Sequence, residues 1–307
     1  MNMLIRLGII AMLGLWSNLL FAESGRWLVW DHSGEEVAYR LDGKAGRAVV
    51  QIHGIGAGAS SAQTSYQIES LVTSGYRVYS LDLIGWGRSI GPQRRFTGAD
   101  YVELIAAFLD EVVGEPAALI GHSLGGTYAI AVAAAHPERV TTLVLNAPVG
   151  AESFTAEPTE QNVLLWERLV SGPVGRTAYT ALGSWPSLAS FCRNSLYVDP
   201  AFCTPSTILD YRRFTRQADS IYGAASFLTG NLGLDVRDGF AAMTQPVLLI
   251  WGDQNAFTTL SEAETFIGLN PDAVLEVISP GGALVNDEQR ERFDTLLIEH
   301  LSLHHAP

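Results

Sequence analysis

The stretch Ala117-Ala-Leu-Ile-Gly-His-Ser-Leu-Gly-Gly126 decides the fold of this sequence. Residues 117–120 form a short apolar run typical of a buried strand, and residues 124–136 form an alanine-rich run of helical length. The motif Gly-x-Ser-x-Gly stands between them, at the turn from strand to helix. The glycines let the chain turn sharply without side-chain clashes, and the N-terminus of the following helix stabilises negative charge beside Ser123. The motif therefore predicts a nucleophilic serine raised above the edge of a sheet.

Strands and helices alternate on both sides of this motif. This alternation predicts a mostly parallel sheet with helices on both faces, preceded by a hairpin that turns at Ser33-Gly34. The predicted strands are residues 27–30, 37–40, 48–52, 77–83, 117–120, 140–145, 246–251 and 274–278. The predicted helices are residues 65–74, 100–113, 124–136, 261–269 and 288–301.

The alternation stops after Pro148 and resumes near residue 239. Helical patches at residues 163–170 and 205–216 are separated by Gly-Pro, Trp-Pro, Asp-Pro and Thr-Pro steps. We therefore expect a core made of residues 23–149 and 239–307, interrupted by a helical insertion over residues 150–238.

Composition excludes several classes of protein. Hydrophobic residues make up 48% of the 307 residues, which is enough for a sizeable core. Lys and Arg number 19 against 32 Asp and Glu, a net charge of −13, so the basic footprint of a nucleic-acid binder is absent. Two cysteines, Cys192 and Cys203, are too few for a disulfide scaffold or for a four-cysteine zinc site. They either pair in an oxidising compartment or remain buried thiols.

Residues 1–22 differ from the rest of the chain. Arg6 is the single charged residue of this segment, and residues 7–21 are almost wholly apolar. The pattern predicts a secretory signal peptide that ends at Ala22, or an uncleaved N-terminal anchor. We therefore expect a periplasmic, extracellular or membrane-anchored protein, with an ordinary buried first helix as the alternative.

Several motifs together resemble those of the α/β-hydrolase superfamily, in its lipase- and esterase-like group. Besides the serine motif they cover most of residues 26–301 in the order typical of that family. They are His53-Gly54-Ile55-Gly56, Asp82-Leu-Ile-Gly-Trp-Gly-Arg-Ser89, His136-Pro-Glu-Arg-Val140 and Leu248-Leu-Ile-Trp-Gly-Asp253.

The resemblance implies an α/β-hydrolase fold in which the insertion forms a cap. It also implies an oxyanion hole made by the backbone N–H groups of Leu124 and Ile55, with His53, Gly54 and His122 as the expected ligand-binding residues. Seven apolar cap side chains are candidates either to line an apolar pocket or to pack the cap against the core, and packing is the expected role for most of them: Leu164, Leu165, Trp166, Leu169, Tyr179, Leu182 and Trp185. The family implies no cofactor, and no metal-ligand motif is present.

The rest of the catalytic triad is missing from the places where the resemblance puts it. The acid position is Asn255, because Asp253 lies too close to Gly252, and the base position is Ala283. Some relatives carry the acid at the end of the strand before the cap, and the residue at that position in this sequence is Asn146. Asp287 and Glu288 remain as unorthodox candidates for the base.

These observations leave two functional hypotheses. One is an esterase or acyl hydrolase that acts weakly on a small apolar substrate through an incomplete triad. The other is a non-catalytic relative that binds a small apolar ligand under the cap. Both need a pocket beside Ser123.

Overall fold

The centre of the molecule is an eight-stranded sheet, seen in a computed structural model that describes residues 25–89 and 91–306. The strands are β1 (Arg26–His32), β2 (Glu35–Asp42), β3 (Ala48–Ile52), β4 (Arg77–Leu81), β5 (Ala117–His122), β6 (Val140–Asn146), β7 (Val247–Gly252) and β8 (Val274–Ile278). Their order across the sheet is β1-β2-β4-β3-β5-β6-β7-β8. The pairs β1–β2 and β2–β4 are antiparallel and the others are parallel. The predicted mostly parallel sheet is thereby confirmed.

Helices cover both faces of this sheet, and further helices lie in the segment between β6 and β7. In chain order, the α-helices of the described residues are α1 (Ile68–Thr73), α2 (Gly98–Phe108), α3 (Leu124–Ala135), α4 (Glu160–Ser171), α5 (Pro173–Leu182), α6 (Trp185–Phe191), α7 (Pro205–Thr215), α8 (Ser220–Leu228), α9 (Arg237–Ala241), α10 (Leu260–Leu269), α11 (Val285–Glu288) and α12 (Arg290–His304). Every residue of β3, β5 and β7 is buried, as expected for parallel strands covered on both sides.

Two predicted helices are interrupted. The helix predicted at residues 65–74 is a 3₁₀ helix, Ser61–Gln67, followed by α1, because hydroxyls such as that of Thr64 donate to the carbonyl three residues earlier. The helix predicted from residue 288 begins at Arg290, after a break at Gln289, where φ is −123° and ψ is 46°. Glu288 belongs instead to the short helix α11.

All residues between β6 and β7 that lie in regular structure are helical. The two ends of this helical insertion are bonded to each other. Leu234 N–H donates to the Phe154 carbonyl at 2.7 Å, and Val236 N–H donates to the Gly150 carbonyl at 3.2 Å. We call residues 150–154 and 234–236 the neck. Farther from the neck, Cys192 and Cys203 form a disulfide with their Cα atoms 5.7 Å apart.

The signal peptide or anchor predicted at residues 1–22 lies outside the described residues. Within residues 25–89 and 91–306, no helix combines the length and the apolar character needed to cross a membrane.

A buried carboxylate fixes the neck to the core. Glu262, on α10, is only 3% exposed. Its oxygens accept the backbone N–H groups of Ala151 at 3.0 Å, Glu152 at 3.1 Å and Ser153 at 3.1 Å, as well as the Ser153 hydroxyl at 2.7 Å. The point where the chain leaves the core is therefore held by one side chain from a distant helix.

We expect Glu262→Ala to lower the free energy of unfolding by about 3 kcal/mol, because it leaves several buried N–H groups without an acceptor. Chemical denaturation measures the change. Glu264→Ala, at an exposed position of the same helix, is the control and should change stability by less than about 0.5 kcal/mol. Equal stabilities of the two variants would contradict this role of Glu262.

Candidate functional site

The turn between β5 and α3 holds Ser123 in a left-handed backbone conformation. Its φ is 49° and its ψ is −125°, a region that residues other than glycine rarely adopt. Ser123 N–H donates to the Asn146 carbonyl at 2.9 Å, which joins the turn to the end of β6. Gly121 has to be glycine, because a Cβ there would lie 2.5 Å from the Gly126 Cα. The turn therefore concentrates backbone strain at a serine that lines the neighbouring cavity.

The loop after β3 packs directly against this turn. A Cβ on Gly54 would lie 3.4 Å from the Ser123 Cβ, and a Cβ on Gly125 would clash with the His53 carbonyl oxygen. The N–H of Leu124 is at the first position of α3, where backbone donors have no partner inside the helix. Leu124 and Ile55 both line the cavity that Ser123 faces, so the two amides predicted for the oxyanion hole are at the same site as the serine.

His53 supports the loop from behind. Its Nδ1 donates to the Gly54 carbonyl at 2.7 Å and its Nε2 accepts the Leu83 N–H at 3.0 Å, which fixes the neutral ring. Burial lowers the pKa of His53, although the charge of Asp82 opposes the shift. His53 was expected among the residues that bind ligand, but the structure does not bring it to the cavity lining.

The cavity beside Ser123 has a volume of about 350 Å³ and lies between the sheet edge and the helical insertion. No Asp, Glu, Lys or Arg is among the described residues that line it. Its walls are mostly apolar. The predicted site residues that line it are Gly54, Ile55, His122, Ser123, Leu124, Asn255 and Ala283.

His122 is at the cavity but cannot serve as a base at neutral pH. Burial, and then the neighbouring His53, lower its pKa to about 3. Asn146 Nδ2 donates to its Nδ1 at 3.1 Å, so the ring proton is on Nε2. The ring stacks on Phe293 of α12, with centroids 6.3 Å apart. His122 therefore packs against the terminal helix while it also lines the cavity.

Asn255 is at the predicted acid position, and its side chain organises the loop after β7. Its Oδ1 accepts the N–H groups of Phe257 at 2.9 Å and Thr258 at 3.3 Å, and its Nδ2 donates to the Thr258 hydroxyl at 2.8 Å. Asp253 faces the other way, since its Oδ1 accepts the Gly281 N–H at 3.0 Å. Neither side chain is free to orient a base.

The loop that carries Ala283 is held on both sides. Leu284 N–H donates to the Leu196 carbonyl at 3.1 Å. Glu288 accepts the Gly282 N–H at 2.9 Å through Oε2 and the Asp199 N–H at 2.7 Å through Oε1. Both oxygens of Glu288 are thus engaged by the backbone, so Glu288 has a structural role and is excluded as the base.

Asp287, the other unorthodox candidate, is in a different cavity. It lines a space on the far side of Gln63 and Tyr211, which are the wall shared with the cavity of Ser123. The Tyr197 hydroxyl donates to its Oδ2 at 2.7 Å. The structure therefore does not bring Asp287 together with Ser123.

Asn146 joins several parts of the site. Its Nδ2 donates to His122 Nδ1 and lies 3.4 Å from the Ala283 carbonyl oxygen. Among the described residues, Asn146 Oδ1 and His122 Nε2 are buried without a hydrogen-bond partner. Two unpaired polar atoms are therefore buried near Ala283, the predicted base position.

The sequence identified few of the side chains that close the cavity. Of the seven predicted cap residues, Tyr179 and Leu182 line it, whereas Trp166 donates to the Tyr222 carbonyl at 3.2 Å. Four lining residues are both apolar and exposed, and we call them the rim: Phe154, Leu182, Leu228 and Phe257. Phe154 and Phe257 are in loops without periodicity, so pattern reasoning could not find them.

The sequence profile of a family described as alpha/beta hydrolase fold matches residues 47–289. A 2-hydroxy-6-oxononadienedioate/2-hydroxy-6-oxononatrienedioate hydrolase from Burkholderia vietnamiensis is 28% identical over 280 residues, covering 89% of this chain and 93% of its own. The corresponding hydrolase from Cupriavidus pinatubonensis is 26% identical over 272 residues, covering 84% of this chain and 88% of its own.

Solved structures share the fold. A meta-cleavage product hydrolase from Pseudomonas fluorescens IP01 superposes with a TM-score of 0.72 at 21% identity, covering 90% of this chain and 97% of that one. An enol-lactonase from Burkholderia xenovorans LB400 superposes with a TM-score of 0.72 at 19% identity, covering 90% of this chain and 100% of that one.

We expect His122 to make the protein sensitive to acid. The unfolded state takes up a proton near pH 6.5, whereas the folded state resists protonation down to a pKa of about 3. The free energy of unfolding should therefore fall by about 1.4 kcal/mol per pH unit, for this one residue, as pH drops below 6.5. Urea unfolding of wild type and His122→Gln at pH 7.5, 6.0 and 5.0 measures the slope. The variant should lose stability less steeply, and parallel slopes would contradict the buried neutral ring.

Proposed function

We propose that this chain, which belongs to the alpha/beta hydrolase fold family, is a weak serine-dependent hydrolase of small, uncharged, apolar esters or acyl compounds. One observation carries the proposal. Ser123 is held in a strained turn at a cavity of about 350 Å³ that contains neither a charged side chain nor a competent base among the described residues.

The uncharged lining supports the choice of substrate. The Burkholderia vietnamiensis relative is named for a dienedioate or trienedioate substrate, which carries two carboxylates. Recognition of a carboxylate usually relies on Arg or Lys, with Arg able to bind it through two hydrogen bonds. No Arg or Lys lines the described walls of this cavity. We therefore propose a neutral substrate for this chain.

In the proposed chemistry the Ser123 hydroxyl attacks the carbonyl carbon of the ester and loses its proton to water. The bond to the leaving alcohol then breaks as the alcohol takes up a proton from water, and a second water molecule hydrolyses the acyl-serine to release the acid and restore the Ser123 hydroxyl. The N–H groups of Leu124 and Ile55 would stabilise the oxyanion that each attack forms. Loss of the base costs on the order of a millionfold in a serine protease, while the oxyanion hole and substrate binding leave about a thousandfold over water. Turnover through Ser123 alone is therefore expected to be slow.

The second candidate function is binding of a small apolar ligand without turnover. The low pKa of His122 and the full engagement of Asn255 favour it. Both candidates predict that an apolar ligand occupies the cavity, so reactivity of the Ser123 hydroxyl distinguishes them.

We expect wild-type protein to react slowly with a fluorophosphonate and to hydrolyse p-nitrophenyl butyrate far below the roughly 10 per second typical of enzymes. The reason is the absence of a base at Ala283 and of an acid at Asn255. Intact-protein mass spectrometry and p-nitrophenol release measure the two reactions, with Ser123→Ala as control. No labelling at Ser123 after prolonged incubation would favour the binding function, and fast turnover lost in Ser123→Ala would reveal a base at another residue.

We expect Ala283→His combined with Asn255→Asp to raise Ser123-dependent esterase activity more than the two single changes added together, because triad members act as a unit. An aspartate can still accept the N–H groups of Phe257 and Thr258, so the loop after β7 should keep its turn. Initial rates for the singles, the double and the double with Ser123→Ala measure the effect.

Ala283→His with Asn146→Asp is the matched comparison. That carboxylate would be buried against His122 and should restore less activity. A folded Ala283→His/Asn255→Asp double variant without any gain would contradict a dormant site.

We also propose that residues 1–22 direct export or anchor the protein. The disulfide between Cys192 and Cys203 supports this proposal, since disulfides persist in oxidising compartments. N-terminal sequencing and cell fractionation of protein from its native host should show a start after Ala22 or retention in the membrane fraction. A soluble cytosolic product that begins at Met1 would contradict the proposal.

A further inference from the structure

A second cavity, of about 520 Å³, is behind the wall formed by Gln63 and Tyr211. It is bordered by the 3₁₀ helix Ser61–Gln67, by α7 and by Asp287 of α11. Ser123 and the oxyanion amides do not line it. The cavity is thus a separate space between the core and the insertion.

The charged side chains that line this cavity are all acidic. Asp210 and Asp287 line it, and no Lys, Arg or His does so within the described part of the chain. The basic residue closest to Asp287 in sequence, Arg290, is paired with Glu69 at 3.1 Å and with Asp294 at 3.7 Å. In a chain of net charge −13, the lining therefore favours a positively charged occupant.

Asp287 is held in place by a tyrosine hydroxyl, because Tyr197 donates to its Oδ2 at 2.7 Å. Burial raises the pKa of Asp287, and hydrogen bonding and the charge of Arg290 only partly offset the shift. This direction is expected for a carboxylate that has no cation in direct contact.

Aromatic rings form the rest of the recognition surface. Tyr66, Phe202 and Tyr211 line the cavity, and Tyr197 stacks on Phe202 with centroids 5.8 Å apart. Aromatic rings together with a carboxylate favour organic ammonium ions. A hard metal cation instead needs several oxygen ligands at once, and no group of three or more His, Cys, Asp or Glu side chains able to hold a metal ion occurs in residues 25–89 and 91–306.

We propose that this cavity binds a small organic ammonium ion, held by Asp287 and the rings of Tyr66, Phe202 and Tyr211, with Asp210 at its margin. The proposal is independent of the hydrolase function, because the five residues include neither Ser123 nor the proposed oxyanion amides, and of the five only Tyr211, in the shared wall, also lines the cavity of Ser123.

The test is isothermal titration calorimetry of the full chain, with choline as the probe. Its comparison ligand is 3,3-dimethylbutan-1-ol, which has nearly the same shape with carbon in place of the quaternary nitrogen. We expect saturable binding of choline, with an affinity at least tenfold higher than that of the neutral alcohol, and the same result with Ser123→Ala.

Asp287→Asn should weaken choline binding about tenfold or more. Asp238→Asn removes the same charge at an exposed position of α9 and should leave binding unchanged. If melting curves show that Asp287→Asn does not fold, Asp210→Asn at an exposed position decides the test and should weaken binding severalfold. Three outcomes would each overturn the proposal. Choline and the alcohol could bind equally well, or Asp287→Asn and Asp238→Asn could lose the same amount of choline affinity. In the fallback test, Asp210→Asn could bind choline as tightly as the wild type.

Discussion

The left-handed backbone of Ser123 is the constraint on which the rest of the site depends. A non-glycine residue in such a conformation costs about 1–3 kcal/mol, so surrounding contacts have to hold it in place. The Asn146 carbonyl accepts its N–H, and the loop at Gly54 approaches its Cβ closely. The same contacts that stabilise the turn bring Ile55 and Leu124 to the cavity of Ser123, so the strained turn and the amides proposed for the oxyanion hole belong to one structural unit.

Features that depend on neighbouring residues could be predicted from the sequence. The strand, turn and helix around Ser123 and the placement of Ile55 follow from local motifs, and the structure brings these residues to one cavity. The break before α12 could not be predicted, because Glu288 is held by the N–H of Asp199, 89 residues away in sequence. For the same reason the positions of Phe154 and Phe227 at the cavity could not be predicted, since the two rings are far apart in sequence and stack only in the folded insertion.

The surroundings of the predicted base position, Ala283, are more polar than those of an alanine in a repacked apolar core. His122 Nε2 and Asn146 Oδ1 remain buried and unpaired in the described structure, and Asn146 also reaches the Ala283 carbonyl. A buried polar atom without a partner costs about 1–3 kcal/mol. The site therefore combines a small residue at position 283 with polar surroundings that suit a hydrogen-bonding group. An apolar core that had been fully repacked around Ala283 would not retain these atoms.

The neck limits how the cavity can open. Its two ends are bonded to each other through Leu234 and Phe154, and Glu262 binds the first of them to the core. A hinge at this point would have to break several buried hydrogen bonds at once, so swinging of the insertion as a rigid flap is disfavoured. Rotation of the exposed rim side chains Phe154, Leu182, Leu228 and Phe257 breaks none of those bonds. Entry of a ligand is then controlled by the rotamers of a few apolar side chains, and its rate should depend on ligand width more than on the stability of the insertion.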